Sequence, residues 1–349
     1  MSGEITVPEK ITVDGVEYTV MSLSCEAFYG ASLITKVTIP ENIGILTDDG
    51  AWAGSTYGDD RFFYNCTSLK EVELPKMSRI NTQMFYGCKS LQKVNIPEDV
   101  TEIGKEAFLG CSSLENITLP NGLKVINDSA FKNCSSLKAV NMPDSVTSIG
   151  NSSFSGCTSL SSLKLSNNLT ELPKNAFRAC KGLTEVTIPN SVVRIQSDSY
   201  DDGAFAYCEA LQKVTIPDSV TSIGRYAFYE CGKGKLGLFV KQGSYAENWA
   251  KDNNVSYNYG TGTNTDNSKD NEDNKENSKE QSKDDSNKQN SSSQDKKENK
   301  VTLTGTDKTT ATKVISKTGE SAIVLVTIAL IAGIAIFVSR KLMSMKDIK

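Results

Sequence analysis

The apolar positions of this chain fall into a motif that returns every 23 residues through most of its first 235. One copy reads Leu91-Gln-Lys-Val94-Asn-Ile96-Pro97-Glu-Asp-Val100-Thr-Glu-Ile103-Gly104-Lys-Glu-Ala107-Phe108-Leu-Gly-Cys111. The phenylalanines keep the count: Phe28, Phe63, Phe85, Phe108, Phe131, Phe154, Phe177, Phe205 and Phe228, in steps of 35, 22, 23, 23, 23, 23, 28 and 23 residues. A fixed period of this length marks a solenoid, in which each turn stacks only on its neighbours.

Within a copy the apolar positions form two groups. Val94 and Ile96 alternate with Asn95, which predicts a short strand with the first two inward and Asn95 towards solvent. Pro97 ends that strand because it has no N–H for a ladder. Val100 and Ile103 form a second inward pair on an extended segment. Gly104 permits a backbone turn that a side chain would obstruct. Ala107, Phe108 and Cys111 suit one short helical turn. The expected fold is an α/β solenoid of short parallel strands and short helical turns. At about 4.8 Å per turn, nine turns give a rod or arc roughly 40 Å long, with a continuous phenylalanine spine.

Eight of the nine cysteines share one column: Cys66, Cys88, Cys111, Cys134, Cys157, Cys180, Cys208 and Cys231, with Ala31 in that place in the first turn. Equivalent column cysteines would pair ambiguously as disulfides. They also lack the close Cys-x-x-Cys pairs of zinc sites. The pattern therefore reads as buried thiols acting as small hydrophobes. Cys25 lies outside the column and reads as a free thiol.

Composition narrows the function. The chain contains no histidine, which removes the commonest general base, metal ligand and pH switch, and with it any histidine-activated serine or cysteine nucleophile. There is no phosphate-binding glycine loop. Charge is mixed along the repeats, with a formal net charge of -4 and no basic stripe, so nucleic acid is not an expected partner. No cofactor or metal is expected.

The consensus Leu-x-x-Val-x-Ile-Pro-x-x-Val-Thr-x-Ile-Gly-x-x-Ala-Phe-x-x-Cys, seen again from Ile188-Pro189 to Cys208 and from Ile216-Pro217 to Cys231, resembles the BspA-like leucine-rich repeat family over residues 1–231. The resemblance implies a surface protein of the kind found in bacteria and some parasitic protists. It also implies binding to host matrix proteins or to other microbes, without catalysis.

Two departures from the repeat stand out. Between Ile43-Gly44 and Phe63 there are 12 extra residues, and between Ile195 and Phe205 there are five. Both insertions leave the repeat at the same point, so both emerge on one side of the solenoid. The first carries Asp48, Asp49, Trp52, Tyr57, Asp59 and Asp60; the second carries Asp198, Tyr200, Asp201 and Asp202. Aromatic and acidic loops on a rigid scaffold are candidate binding loops. Aspartate clusters also suit Ca²⁺, although neither matches EF-hand spacing. A tolerated surface insertion is the plainer alternative. The outward strand column, Thr38, Glu73, Asn95, Thr118, Asn141, Lys164, Thr187 and Thr215, is polar and free of aromatics. It suits either a polar protein surface or a solvated sheet.

The remaining segments divide by chemistry. Residues 1–235 hold about nine repeats, and 236–260 read as a cap built on a helix with Tyr245, Ala246, Trp249 and Ala250 at i, i+4 spacing. Residues 261–318 read as a disordered polar linker, with no apolar side chain over 263–300. About 57 residues of such chain span roughly 40 Å. Residues 321–339 hold an apolar run of 17, Ala322–Val338, predicting one transmembrane helix at the short limit. Arg340, Lys341, Lys346 and Lys349 make 340–349 a basic tail, which the positive-inside rule places in the cytoplasm with the repeats outside. Ile315-Ser316-Lys317-Thr318-Gly319 ahead of that run resembles a Gram-positive wall-sorting signal in which Ile315 and Ser316 replace the usual Leu-Pro. A sortase would cut between Thr318 and Gly319 and join Thr318 to peptidoglycan; without cleavage the chain stays membrane-anchored. Met1-Ser-Gly-Glu-Ile offers no export signal, so an outward-facing solenoid is expected to begin upstream of this sequence.

The function these features predict is a non-enzymatic cell-surface protein-binding module or adhesin. Asp49, Trp52, Tyr57, Asp59, Asp60, Tyr200, Asp201 and Asp202 are its candidate ligand contacts, and the ligand is a protein or matrix component. A structural envelope protein or spacer without a specific ligand is the alternative. A loop-grafted enzyme would need a carboxylate-only mechanism.

Overall fold

The computed structural model describes residues 2–13, 15–23, 26–45 and 61–260, with the backbone of three strands between 312 and 339. The chain divides into two units, Met1–Gly262 with Thr310–Lys349, and Thr263–Thr309, the second lying outside the described residues. Most of the expected linker, the basic tail and the sorting residues Thr318 and Gly319 also lie outside them.

The repeats stack turn on turn in two parallel ladders. The first joins Gly3–Thr6, Ile34–Thr38, Glu71–Glu73 and Lys93–Val94 in that order, and resumes with Ala139–Asn141 beside Ser162–Lys164. It continues through Glu185–Thr187, Lys213–Thr215, Gly237–Val240 and Ser256–Tyr259. Register is one repeat per rung, so that Val37 faces Val72 and Val72 faces Val94. The second ladder runs through Arg79–Ile80, Glu102–Ile103, Val125–Ile126 and Ser148–Ile149, and again through Glu171–Leu172, Arg194–Ile195 and Ser222–Ile223. The alternation around Val94 and the Val100–Ile103 pair thus predict both ladders.

The first ladder is interrupted at the turn containing Asn116–Thr118. One turn earlier the ladder is already altered. Asn95 lies on the outward column as expected, but its amide turns back onto Leu74: Oδ1 accepts from the Leu74 N–H at 2.6 Å and Nδ2 donates to the Leu74 carbonyl at 3.2 Å. A side chain has taken the pairing positions that a neighbouring strand would use.

Inside, the nine column phenylalanines form one stack. Successive rings lie 5.0–5.6 Å apart, centroid to centroid, and within 14° of parallel. The cysteine beside each ring does more than fill volume. Every column thiol from Cys66 to Cys231 donates to the carbonyl of the phenylalanine one turn back, at 2.9–3.3 Å. From Phe63 to Phe205 that carbonyl also accepts the N–H of its own turn's cysteine, as Phe108 does from Cys111 at 3.1 Å and from the Cys134 thiol at 3.2 Å. Burial pushes the six inner thiols, Cys88 to Cys208, up, Cys157 to about 12, so they stay protonated and able to donate.

The expected short helical turns are absent from the repeats. The segment around each phenylalanine is a run of tight turns closed by i to i−3 bonds, such as Ala107 N–H to Gly104 O and Leu109 N–H to Glu106 O. The cause is a pair of left-handed residues, one two before the phenylalanine (Gln83, Glu106, Ser129, Ser152, Asn175, φ 55–58°) and one two after it (Asn65, Gly87, Gly110, Asn133, Gly156, Ala179, Tyr207, Glu230, φ 55–76°). Such residues cannot continue a right-handed helix. Gly104 is not one of them; it is required by contact, since a Cβ there would lie 2.7 Å from the Thr82 N and 2.9 Å from the Ile80 O of the preceding turn.

After the last turn come a helix and a strand. Helix α1, Tyr245–Asp252, starts at Ser244, whose hydroxyl accepts from the Glu247 N–H at 3.3 Å. Glu247 reaches back to the Gly243 N–H at 2.5 Å, a variant of the capping box. Trp249 closes the end of the phenylalanine stack, edge-on to Phe228 at 5.8 Å.

At the C-terminus the structure departs from the predicted transmembrane helix over 321–339. Thr312–Ser316, Ile323–Leu330 and Ile334–Ser339 are antiparallel strands, and the last pairs with the strand Val16–Leu23. No helix among the described residues is long and apolar enough to cross a membrane. The run is rich in β-branched residues, among them Ile323, Val324, Val326, Ile328, Ile334, Ile336 and Val338, which favour extended backbone, and an apolar run does not by itself distinguish helix from strand.

Two outcomes follow from this packing. Replacing Phe131 by Ala removes a ring stacked on both sides and is expected to destabilise the protein by about 3–5 kcal/mol, whereas Cys134→Ala, which strips one weak donor, costs roughly 1 kcal/mol, both read by urea denaturation. In the cap, the Lys251 ammonium, the Gly243 N–H and the Tyr259 hydroxyl bring Glu247 down to about 2 from 4.5. A lowered carboxyl contributes stability that is present above its unfolded value and lost as pH falls. The Trp249 environment is therefore expected to hold down to about pH 4.5 and to loosen between there and about pH 2, seen as a fluorescence change that Glu247→Gln shifts or removes.

Candidate functional site

The second insertion is fully described, and its carboxylates work mainly on the loop itself. Asp202 Oδ1 accepts the N–H groups of Asp198 and Ser199, both at 2.8 Å, and the Ser197 hydroxyl at 3.2 Å. Asp201 accepts the Ser199 hydroxyl at 2.8 Å. Lys174, one turn back, pairs with Asp198 and lies 3.6 Å from Asp202. The Arg178 Nε donates to the Asp201 carbonyl at 3.1 Å, and the Ala204 N–H to Gln196 O at 3.2 Å closes the loop's neck. Gly203 ends the loop because a Cβ there would lie 1.9 Å from the Tyr226 carbonyl of the next turn. The loop is a braced platform rather than an open carboxylate cluster. Among the described residues no group of acidic or cysteine side chains is arranged to hold a metal ion.

What the platform presents is Tyr200, 58% exposed. Its ring meets Tyr229 edge-to-face at 6.2 Å, and Tyr229 also meets Tyr207 at 5.5 Å and Tyr226 at 6.0 Å. Arg178 lies over Tyr207 at 4.7 Å and Arg225 over Tyr226 at 5.6 Å. Burial first, then the neighbouring charges of Glu230 and the other phenols, raise Tyr229, which stays neutral at physiological pH. The result is an aromatic patch edged by two guanidinium groups.

Of the residues singled out in the sequence, Tyr200 and Asp201 are exposed, and Asp202 is largely spent inside the loop. Asp49, Trp52, Tyr57, Asp59 and Asp60 lie outside the described residues. Both insertions follow the second-ladder isoleucine: Ile45 pairs with Leu23 before the first, and Ile195 with Leu172 before the second. Sequence reasoning missed Tyr207, Tyr226, Tyr229, Arg178 and Arg225. For Tyr229 the available signal was the position after the column phenylalanine, which is tyrosine at 29, 64, 86 and 229; Tyr207, Tyr226 and Arg225 lie elsewhere in the repeat.

The outward strand column is exposed or half-buried, as predicted, and is braced across turns by ion pairs such as Lys93–Glu71 at 2.7 Å and Lys138–Glu115 at 2.6 Å. A cleft of 410 Å³ opens where the first-ladder strands end near the cap, over Ile188, Ile216, Pro217 and Val240, with the Lys241–Asp218 pair at 2.5 Å among its walls. It contains no nucleophile–base arrangement.

These features define a parallel-strand repeat solenoid that offers surfaces and no catalytic constellation among the described residues. The profile of the BspA type leucine-rich repeat region matches six copies, over residues 22–158, 78–203 and 201–238, and the chain belongs to that family. It is similar to a leucine-rich repeat protein from Bacteroides ovatus, with 27% identity and a TM-score of 0.51, covering 68% of this chain and 63% of that one. The chain thus spans less than two thirds of that relative. A leucine rich cell surface protein from Faecalibacterium prausnitzii shares 25% identity over 70% of this chain and 89% of its own, with a TM-score of 0.37. The T. pallidum leucine rich repeat protein shares 21% over 73% and 85%, with a TM-score of 0.35. No protein with a curated description matches.

The bracing of the second loop predicts a pH response. Burial alone would raise Asp202, but the two backbone N–H donors, Lys174 and the Ser197 hydroxyl outweigh it and hold the carboxyl below 3.8. Loop order is expected to be complete above that value and to be lost as pH falls through the lowered folded value. Amide exchange at Asp198 and Ser199 is the measurement, and Asp202→Asn should give fast exchange already at neutral pH.

Proposed function

We propose that this protein is a non-enzymatic recognition module, displayed on a cell surface, that binds a protein ligand through the side of the solenoid carrying its insertions. The observation that carries this reading is the patch formed by Tyr200 on the braced loop with Tyr207, Tyr226 and Tyr229 of the adjoining turns, edged by Arg178 and Arg225. Tyrosine and arginine are the residue types that dominate binding hot spots, because they bury large area and keep a polar handle at low entropic cost. A rigid loop loses little freedom on binding. The first insertion, with Trp52 and Tyr57, adds matching chemistry at the same point of the repeat.

Surface display is supported by the family, by the polar stretch over 263–300 and by the apolar run followed by Arg340, Lys341, Lys346 and Lys349. On this reading an adhesin is the form of recognition favoured. Wall linkage through Thr318 is a variant of the same display.

The test is made on native cells and on purified protein. Protease shaving of intact cells is expected to release repeat peptides while the cells stay sealed, and binding of purified protein to matrix proteins or to other microbes is expected to saturate. Tyr200→Ala should weaken that binding by about 2 kcal/mol, near thirtyfold, with the fold intact. Release only after lysis would remove the surface reading, and binding unchanged by Tyr200→Ala would remove this patch as its site.

A further inference from the structure

The position after the column phenylalanine contains a second aromatic series besides the Tyr200 patch. Tyr29, Tyr64 and Tyr86 occupy it in three consecutive turns. Their rings stack outside the core: Tyr29 on Tyr64 at 5.2 Å with planes 3° apart, and Tyr64 on Tyr86 at 4.7 Å with planes 9° apart. Tyr29 is 47% exposed, and Tyr64 and Tyr86 are half-buried, so the stack is open to solvent along its edge. The Arg61 guanidinium lies 5.2 Å over Tyr64. Core packing explains the phenylalanine stack, but it does not require hydroxyl-bearing rings on the outside. Leu109, Lys132 and Ser155 hold the same position in the next turns without loss of the fold.

The chemistry of this arrangement is specific. A phenol that loses one electron and one proton becomes a phenoxyl radical, with its spin on the oxygen and on the ring carbons ortho and para to it. In tyrosine the para carbon carries the side chain, so ortho carbons couple. Two such radicals combine through their π lobes, which stand perpendicular to the ring planes. Parallel stacked rings aim those lobes at each other. The edge-to-face pairs around Tyr229, at 66–84°, aim one ring's lobe at the other's C–H edge. The backbone already holds the stacked pairs in place, since the Gly30 N–H donates to the Tyr64 carbonyl at 2.7 Å and the Asn65 N–H to the Tyr86 carbonyl at 2.7 Å.

We propose that Tyr64 is the centre of an oxidative cross-linking site that joins it to Tyr29 or Tyr86 as dityrosine, stapling adjacent turns of the solenoid. The oxidant is a peroxidase acting with hydrogen peroxide. Each of two phenols gives up one electron and one proton, a carbon–carbon bond forms between ortho carbons, and the two ring hydrogens move to the oxygens as the rings regain aromaticity. The product is lighter by two hydrogens, and one hydrogen peroxide is reduced to two waters.

The experiment treats the full chain, dilute and monomeric, with horseradish peroxidase and hydrogen peroxide. It reads dityrosine fluorescence together with mass spectrometry of digested peptides. The expected result is a Tyr29–Tyr64 or Tyr64–Tyr86 linked peptide pair, two hydrogens lighter than the sum, in protein that still migrates as a monomer. Tyr64→Phe, which keeps the ring stack, should remove those pairs and the fluorescence. The double change Tyr29→Phe with Tyr86→Phe should do the same while Tyr64 remains, which covers the case in which one variant folds poorly. Tyr200→Phe should leave the signal intact. Undiminished dityrosine in Tyr64→Phe, or links found only among Tyr200, Tyr207, Tyr226 and Tyr229 or only between chains, would overturn the proposal.

Discussion

The carbonyl of the column phenylalanine is the point on which this structure depends. It accepts the N–H of the cysteine in its own turn and, in most turns, the thiol of the cysteine in the next. A buried carbonyl in a tight turn has two lone pairs to satisfy and no water to do it. The thiol answers the second of them with a side chain small and apolar enough to pack beside an aromatic stack. Each thiol reaches backward by one turn, so its bond matches the spacing and direction in which the turns stack. The parallel ladders and the ring stack then follow at the same repeat.

On the proposed reading, function enters where this regularity is relaxed. The five extra residues after Ile195 leave the two ladders in register, since Arg194–Ile195 still pairs with Ser222–Ile223 beyond the loop. The insertion can therefore carry its own internal bracing without disturbing the core. Its aspartates and serines fold it, and its tyrosine is left over for an outside surface. Acidic residues that look like ligands in a sequence are here the framework, and the aromatic beside them is what the framework displays.

The strands, their register and the helix after the last turn were legible because period-2 alternation and the i, i+4 spacing of Tyr245, Ala246, Trp249 and Ala250 are local signals. The tight turns around each phenylalanine were not, because i, i+1, i+4 apolar spacing suits a helix equally well. What decides against it is the left-handed conformation at positions such as Glu106 and Ala179, whose residue types do not announce it. Asn95 looked like a simple outward residue, and only the proximity of Leu74 turns it into a substitute strand. The Tyr229 cluster was invisible for a related reason: Tyr200 and Tyr229 are neighbours only because one turn of the solenoid separates residues 29 positions apart. At the C-terminus, an apolar run rich in isoleucine and valine is compatible with a spanning helix or with paired strands, and hydropathy alone did not separate them.

The backward reach of each thiol also bears on how such a chain can change over generations. Every interior turn offers the same carbonyl to the turn that follows and takes the same carbonyl from the turn before, so the junction between any two turns is interchangeable with the next. Unequal recombination that adds or deletes one 23-residue block leaves every remaining junction chemically as it was. Length can drift by whole units at little thermodynamic penalty, while the capped end and the insertions, which have no equivalents elsewhere in the array, are the parts that selection must preserve individually.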